Sequence, residues 1–295
     1  MTDPSATGSE FAAIEAERLL TALEAAGTPL TRLEVAAEAS STNAILLAGI
    51  AAEGSGWIAP CALIAEHQFA GRGRHDRTWV TPPRVALTAS VAVPVPSGLP
   101  PTLLPLIAGL ATCGAVREAT ALPTGLKWPN DVLIQPAYAA DTPSFGRWRK
   151  VAGILVQLAP GRPRDSAIAV VGIGLNVHQA QAELPVHHAT SLDAAMEVTP
   201  GAASPRRADR TSLAVGVIGR LLDLLGTARE FGTDPVLDLL AAETLTLGQY
   251  VRIEAVGGEP LAGRAIGLGP AGELAIRLPD GAIRTVYEGD VHHLR

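Results

Sequence analysis

The sequence predicts an α+β domain that runs to about residue 245, followed by a small all-β barrel. Three observations predict it. Apolar runs of strand length alternate with stretches of helical period through the first part of the chain. Gly, Pro, Ser and Asn punctuate the junctions. From Gly248 onward the texture changes to five short β runs broken by Gly and Pro, the pattern of a barrel of about 50 residues. With 295 residues, 47% hydrophobic and 18% charged, the chain has material for one large folding unit or two unequal ones.

In order, residues 1–9 are small and polar and read as a frayed end. Phe11 to Ala26 sets Phe11, Ile14, Leu19, Leu20 and Leu23 at helical spacing, with Gly27 as a stop and Pro29 just beyond. Arg32–Ala37 reads as a short strand. Ser40-Ser41-Thr42-Asn43 precedes a helix to about Glu53, closed by Gly54. Cys61–His67 and Val85–Val93 read as strands, the second stopped by Pro94 and Pro96. Leu103–Ala119 is a long apolar helix. Leu126–Gln135, Val151–Leu158 and Ala167–Val177 are three further strands. Pro136–Arg149, rich in Pro, Gly and aromatic residues, reads as an exposed loop between the first two, and Thr199–Asp209 as a second loop. Leu213–Phe231 and Pro235–Glu243 are helical. The expected division is an N-terminal helical extension at 1–30, the main domain at 31–245 and the β unit at 246–295.

A formal net charge of −6 argues against a general nucleic-acid surface but leaves room for a local basic site. Cys61 and Cys113 stand far apart in apolar settings, with no CxxC and no HExxH, so neither a disulfide scaffold nor a zinc site is expected. The N-terminus lacks the pattern of a signal peptide and no apolar run of about 18 residues occurs, so a cytoplasmic protein without a membrane span is expected.

The most informative segment is Gly71-Arg72-Gly73-Arg74-His75-Asp76-Arg77-Thr78-Trp79, which places three guanidinium groups within six positions. Arginine offers a fixed fork of donors to carboxylate and phosphate oxygens. Glycine lets backbone approach a ligand closely or adopt positive φ. Lys127-Trp128-Pro129-Asn130-Asp131 presents a lysine, an amide and a carboxylate around one turn between strand segments. Lys150 opens an apolar strand in which Gly153 permits close approach. Gly172-Ile173-Gly174-Leu175-Asn176 closes another strand with an amide that needs partners, either a purine edge or local backbone. Ser41-Thr42-Asn43 suits a helix cap, with one hydroxyl and one amide to spare. Gly267–Gly272 satisfies GxGxxG but has Pro270 inside it and no helix after it, so it is not a dinucleotide site. The pairs His187-His188 and His292-His293 are not spaced as metal chelates.

Together and in order, these motifs resemble those of the biotin protein ligases (biotin–acetyl-CoA-carboxylase ligases). That pattern runs STN, Q-x-A-GRGR-x-G-R-x-W, KWPND, K-x-x-GIL, GxGxN and a C-terminal barrel ending near GDV-x-x-LR. Here it stands at Ser41–Asn43, Gln68–Trp79, Lys127–Asp131, Lys150–Leu155, Gly172–Asn176 and Gly289–Arg295. The resemblance covers about residues 40–295. It implies a mixed β-sheet catalytic domain of class II synthetase-like fold and an SH3-like C-terminal barrel. Asp76 departs from the family's usual glycine, and Pro136–Arg149 is longer than its usual connection. The stretch before Ser41 is too short for the winged-helix domain some members carry, so no DNA-binding role is expected.

The resemblance implies a two-step reaction in which biotin is activated by ATP as biotinyl-AMP and then passed to a lysine of a biotin carboxyl carrier protein. That carrier belongs to acetyl-CoA carboxylase or a related carboxylase. Ser41, Thr42, Asn43 and Gln68 would meet the ureido ring, with Arg72, Gly73, Arg74, Lys150 and Gly153 completing the biotin site. Gly71, Arg72, Arg74, Arg77, Trp79, Lys127, Asn130, Lys150 and Asn176 would hold the nucleotide, Trp79 and Asn176 near adenine. Arg74, Lys127, Asp131 and Lys150 would be catalytic, Asp131 either positioning Lys127 or deprotonating the incoming lysine. Mg²⁺ is expected, without assigned ligands, and the protein would be a monomer or homodimer. Two other readings remain: a lipoate or octanoate ligase or transferase of related fold, and a nucleic-acid-binding protein using the arginine loop.

Overall fold

In the computed structural model residues 11–79, 81–136, 139–160, 167–197, 207–254 and 259–294 are described. The end at 1–9, most of the expected loop at Thr199–Asp209, and Arg295 lie outside them. In chain order the first elements are α1 (Ala16–Ala25), β1 (Arg32–Ala39), α2 (Thr42–Ala51), β2 (Cys61–Gln68), β3 (Gly71–Arg72) and β4 (Thr78–Trp79). Then come β5 (Ala86–Pro94), α3 (Leu104–Thr120), β6 (Thr124–Lys127), β7 (Asp131–Ile134), β8 (Arg149–Leu158) and β9 (Ile168–Asn176). After α4 (Leu192–Glu197), α5 (Arg210–Phe231) and α6 (Asp234–Glu243), the chain ends in β10 (Tyr250–Glu254), β11 (Leu261–Leu268), β12 (Leu274–Arg277), β13 (Ile283–Val286) and β14 (Asp290–Leu294).

A seven-stranded sheet has the order β1-β2-β5-β9-β8-β7-β6. β1 and β2 pair in parallel and the other neighbours antiparallel, so the sheet is mixed. Period-two alternation divides the central strands between two cores. Ala89, Val91 and Val93 of β5 and Ala169, Val171 and Ile173 of β9 join the large cluster containing α3 and α5. Ala92 and Val170 point the other way, onto Leu46 and Ile50 of α2. The same alternation brings Thr88, Ser90, Gly172, Gly174 and Asn176 to the α2 side. Pro101–Thr120 and Arg210–Phe231 have mean hydropathies of 1.2 and 1.3 and the length to cross a bilayer. Counting uninterrupted apolar runs misses these helices; both pack into the core, against each other and the sheet.

Two expected elements are corrected. Leu126–Gln135 is a hairpin, not one strand: β6 and β7 pair through Lys127↔Asp131 around Trp128-Pro129-Asn130. Pro129 has no N–H for a ladder, so the chain reverses there. Phe11–Glu15 is not helical. Its backbone is bound elsewhere, Ile14 N–H donating to Glu66 Oε1 at 2.6 Å and Ala12 C=O accepting from Arg210 Nη2 at 2.6 Å.

The five short runs at the C-terminus form an antiparallel sheet of order β13-β12-β11-β10-β14. Trp128 fastens it to the main sheet: its indole N–H donates to Gly272 C=O at 2.9 Å, and its backbone N–H donates to Thr246 Oγ1 at 3.1 Å. The GxGxxG segment is thus the end of β11 and the turn into β12.

Candidate active site

The strand register builds the floor. Thr88 lies opposite Gly174 and Gly174 opposite Gly153; Ser90 lies opposite Gly172 and Gly172 opposite Leu155. Residues opposite one another in a ladder share a face. Thr88, Ser90, Gly153, Gly172 and Gly174, the small residues of these two rows, thereby leave open a cavity of about 490 Å³ between the sheet, α2, the arginine loop and β14. The missing side chains have specific consequences. A Cβ on Gly172 would fall 2.4 Å from Asn43 Oδ1, and one on Gly174 2.5 Å from the Trp79 ring.

One end of the cavity is polar and uncharged. Ser41 caps α2, its Oγ accepting from Ala44 N–H at 3.4 Å. Gln68 Oε1 accepts from the Thr42 N–H at 2.8 Å and hydroxyl at 3.1 Å. Ser90 Oγ lies 2.6 Å from Asn43 Oδ1 and 2.7 Å from Thr42 Oγ1. Asn43 Nδ2 donates to Gln157 Oε1 at 3.0 Å and Leu155 C=O at 3.2 Å. This is a fixed cluster of hydroxyls and amides with lone pairs and protons left over.

The other end gathers cations. Gly71–Trp79 is a small hairpin of β3 and β4. Gly71 is required by close approach, since a Cβ there would meet Gln68 Nε2 at 2.1 Å and Trp79 C=O at 2.5 Å. Its positive-φ residue is His75 (φ 53), not a glycine. Arg74 donates to Asn130 Oδ1 at 3.2 Å, and Asn130 Nδ2 donates to Ile154 C=O at 2.9 Å, so one amide ties the loop to β8. Burial pulls the Arg74 guanidinium below its usual pKa, with Asp290, Asp131 and Glu288 opposing. Arg77 pairs with Asp290, at the start of β14, and His75 Nδ1 lies 3.9 Å from the same carboxylate. Arg72 is exposed at the rim. The Asp76 side chain lies outside the described residues.

Lys150 Nζ and Asp131 Oδ1 form an ion pair at 2.6 Å. Lys127 is nearly buried; burial pushes its pKa below that of ordinary lysine, with Asp131 opposing. Its Nζ sits 4.2 Å from the centroid of the Phe145 ring, which stacks on His188 at 4.3 Å. Burial, together with His187, Lys127 and Lys150, pushes the His188 imidazole down to about 4. It is therefore neutral near pH 7. Trp79 roofs Gly153 and Gly174, and its buried Nε1–H has no acceptor among the described residues.

Every sequence-predicted site residue except Gly71 lines this one cavity, and Gly71 lies behind the loop against Gln68. One open alternative closes and one local expectation changes. Asn176 is satisfied locally, donating to Thr190 C=O at 3.1 Å and accepting from Gln179 Nε2 at 2.9 Å. Pro136–Arg149 is not wholly exposed, since Phe145 is buried in the cavity wall. His187 and His188 lie in a turn, and His188 is part of the lining. Sequence reading missed Thr88, Ser90, Phe145, His188 and Asp290. Two hydroxyls two apart in the otherwise apolar run Val85–Val93 are a detectable signal; the others depend on tertiary placement. No group of three metal-ligating side chains occurs among the described residues. Asp131 and Asp290 are committed to Lys150 and Arg77, so the cavity does not fit a protein-built Mg²⁺ cage.

Residues 38–176 match the Biotin/lipoate A/B protein ligase family, and residues 246–294 match the Biotin protein ligase C terminal domain. The chain is 37% identical to the biotin–[acetyl-CoA-carboxylase] ligase of Mycobacterium tuberculosis, over 92% of each chain. It is 32% identical to the enzyme of the same description from Paracoccus denitrificans, over 83% of this chain and 94% of that one. The solved structure of the biotin protein ligase of Aquifex aeolicus in complex with biotin and ATP superposes with a TM-score of 0.66 at 28% identity, over 90% of this chain and 99% of that chain. A mixed sheet carrying a cation-rich hairpin, a C-terminal antiparallel sheet docked beside it and these likenesses lead to one conclusion: the chain belongs to the biotin protein ligase family of biotin–[acetyl-CoA-carboxylase] ligases.

Proposed function

We propose that the cavity activates biotin as biotinyl-AMP and then delivers the biotinyl group to a lysine of a carrier protein. The observation that carries this reading is the division of one cavity into a neutral hydroxyl–amide end and a cationic end about Lys150. A ureido ring has donors and an acceptor whose burial unpaired costs several kcal/mol, about 2–7 by transfer data. Thr42, Asn43, Gln68 and Ser90 are the groups to pair them, with Ser41 and Gly153 shaping the site.

In the first step a biotin carboxylate oxygen attacks the α-phosphorus of ATP, and the bond to the bridging oxygen breaks to release pyrophosphate. Two anions must meet, so fixed cations supply the stabilisation. Lys150 touches both the carboxylate and the α-phosphate in this reading. Arg72, Arg74, Arg77 and Lys127 hold the polyphosphate, and Asn130 fixes Arg74. Trp79 and Asn176 flank the base, and the free Trp79 Nε1–H is a donor for it. In the second step the carrier lysine attacks the acyl carbon and AMP leaves. A lysine of pKa about 10.4 must lose its proton first. In this reading Asp131 accepts it once Lys150 turns to the phosphate; the ion pair that Asp131 makes is with Lys150 rather than Lys127. Any Mg²⁺ arrives with the triphosphate, and no step here passes through it.

The carrier is a biotin carboxyl carrier protein, in keeping with the relatives' description as ligases acting on acetyl-CoA carboxylase. A lipoate or octanoate substrate is disfavoured by the hydroxyl–amide end, because a fatty-acyl chain would displace water from its remaining lone pairs and protons without replacing those hydrogen bonds. Pyrophosphate release from ATP tests this directly. Release is expected with biotin and not with lipoate or octanoate; release with a fatty acid and not with biotin would reverse the reading.

A further inference from the structure

The segment between β7 and β8 brings one side chain inward. Phe145 is 9% exposed in a stretch that reads as surface loop, and its ring lines the cavity. The segment is fastened in place. Thr142 and Gly146 exchange backbone hydrogen bonds at 2.9 and 2.7 Å. Arg149 donates to Ala140 C=O at 2.6 Å, Gly146 C=O at 2.8 Å and Thr142 Oγ1 at 3.2 Å. Ser144 and Gly146 take φ of 61 and 57, so the turn that aims Phe145 is a built one.

Lys127 needs such a neighbour. Asp131, the carboxylate of its own hairpin, is held by Lys150 at 2.6 Å. Among the described residues no carboxylate forms an ion pair with Lys127. A buried ammonium without a counter-ion would swing to water or shed its proton. The negative face of an aromatic ring retains both its charge and its position. With Nζ at 4.2 Å from its centroid and His188 stacked at 4.3 Å, the Phe145 ring is held from both neighbours.

We propose that Phe145 is a positioning residue for Lys127, holding its ammonium at the polyphosphate end of the cavity and, stacked on His188, keeping water from that end. This rests on the proposed function above. The test is pyrophosphate release by the full chain with ATP and biotin varied in turn, for the unaltered protein, Phe145→Leu, Phe145→Tyr and Phe145→Ala. Leucine retains apolar bulk but lacks a π face; tyrosine retains the face. A cation–π contact of ordinary strength corresponds to about a 2- to 30-fold rise in the KM for ATP in Phe145→Leu. The KM for biotin should stay within about twofold, since Phe145 is at the other end of the cavity. Phe145→Tyr should restore the KM for ATP and Phe145→Ala should be at least as poor as leucine. An unchanged KM for ATP in Phe145→Leu, or equal rises for both substrates, would overturn the proposal while the functional reading stood. Absence of biotinyl-AMP formation by the unaltered protein would overturn the functional reading itself, and this inference with it.

Discussion

Replacing Gly174 by alanine tests whether the sheet floor positions the arginine hairpin. The backbone of Gly174 is unstrained, so only space is at issue. The new Cβ would lie 2.5 Å from Cε2, 2.6 Å from Cζ2 and 2.9 Å from Nε1 of Trp79. All three are below any contact a methyl group tolerates, and the neighbour is a rigid indole whose backbone closes the β3–β4 hairpin. Overpacking of this kind costs about 1–3 kcal/mol. Trp79 is partly exposed, so it relieves the clash by moving outward and taking Gly71–Trp79 with it. The cost then falls on nucleotide binding more than on folding: about a 5- to 150-fold loss of kcat/KM for adenylation, by tenfold per 1.4 kcal/mol. Gly153→Ala is the steric comparison within the same site, because its Cβ would meet Trp79 at 3.4 Å and Lys150 Nζ at 3.5 Å, both ordinary contacts, and it should lose under about threefold. Adenylation kinetics with a thermal melt on each variant measures both quantities. Equal kinetics for the two variants, or a Gly174→Ala loss matched by global unfolding, would refute the reasoning.

Two further outcomes follow from the same geometry. Ser90→Ala removes the hydroxyl that lies 2.6 Å from Asn43 Oδ1 and 2.7 Å from Thr42 Oγ1. At about 1 kcal/mol for a hydrogen bond, biotin affinity measured by calorimetry should fall about fivefold with little change for ATP. His188 has a folded pKa of about 4 against 6.5 unfolded, so the unfolded chain binds the extra proton between those values. Its contribution to stability is whole above pH 6.5 and is lost as pH falls toward 4. Melting temperatures of His188→Gln should therefore decline less than those of the parent across that window; parallel declines would count against it.

The legibility of the sequence followed the reach of each interaction. Motifs whose chemistry is local, such as Ser41–Asn43, Gly71–Trp79 and Lys127–Asp131, were readable as polar or cationic elements because their residues act within one turn. Strand positions were readable from apolar runs, and the five C-terminal runs correspond to five strands. The partners were not readable. Asp131 faces Lys150 because β7 and β8 pair with a bulge between Val132 and Leu133, a register no composition encodes. Asp290 reaches Arg77 across 213 positions. Phe145 turns inward on the strength of hydrogen bonds made by Arg149 within its own loop. Phe11 and Ile14 have helical spacing, yet their segment is not helical, because Glu66 and Arg210 capture its backbone. Local periodicity lost there to a buried ion pair between Arg210 and Glu66 at 2.6 Å.

In the proposed function a neutral polar end and a cationic end of one cavity bring biotin and ATP together at Lys150. A crystal structure of this chain grown with biotin and ATP measures that placement most directly. The ureido ring should lie among Thr42, Asn43, Gln68 and Ser90, with Lys150 Nζ within hydrogen-bond distance of the acyl phosphate. A ring bound elsewhere, or an acyl phosphate remote from Lys150 and Arg74, would contradict it.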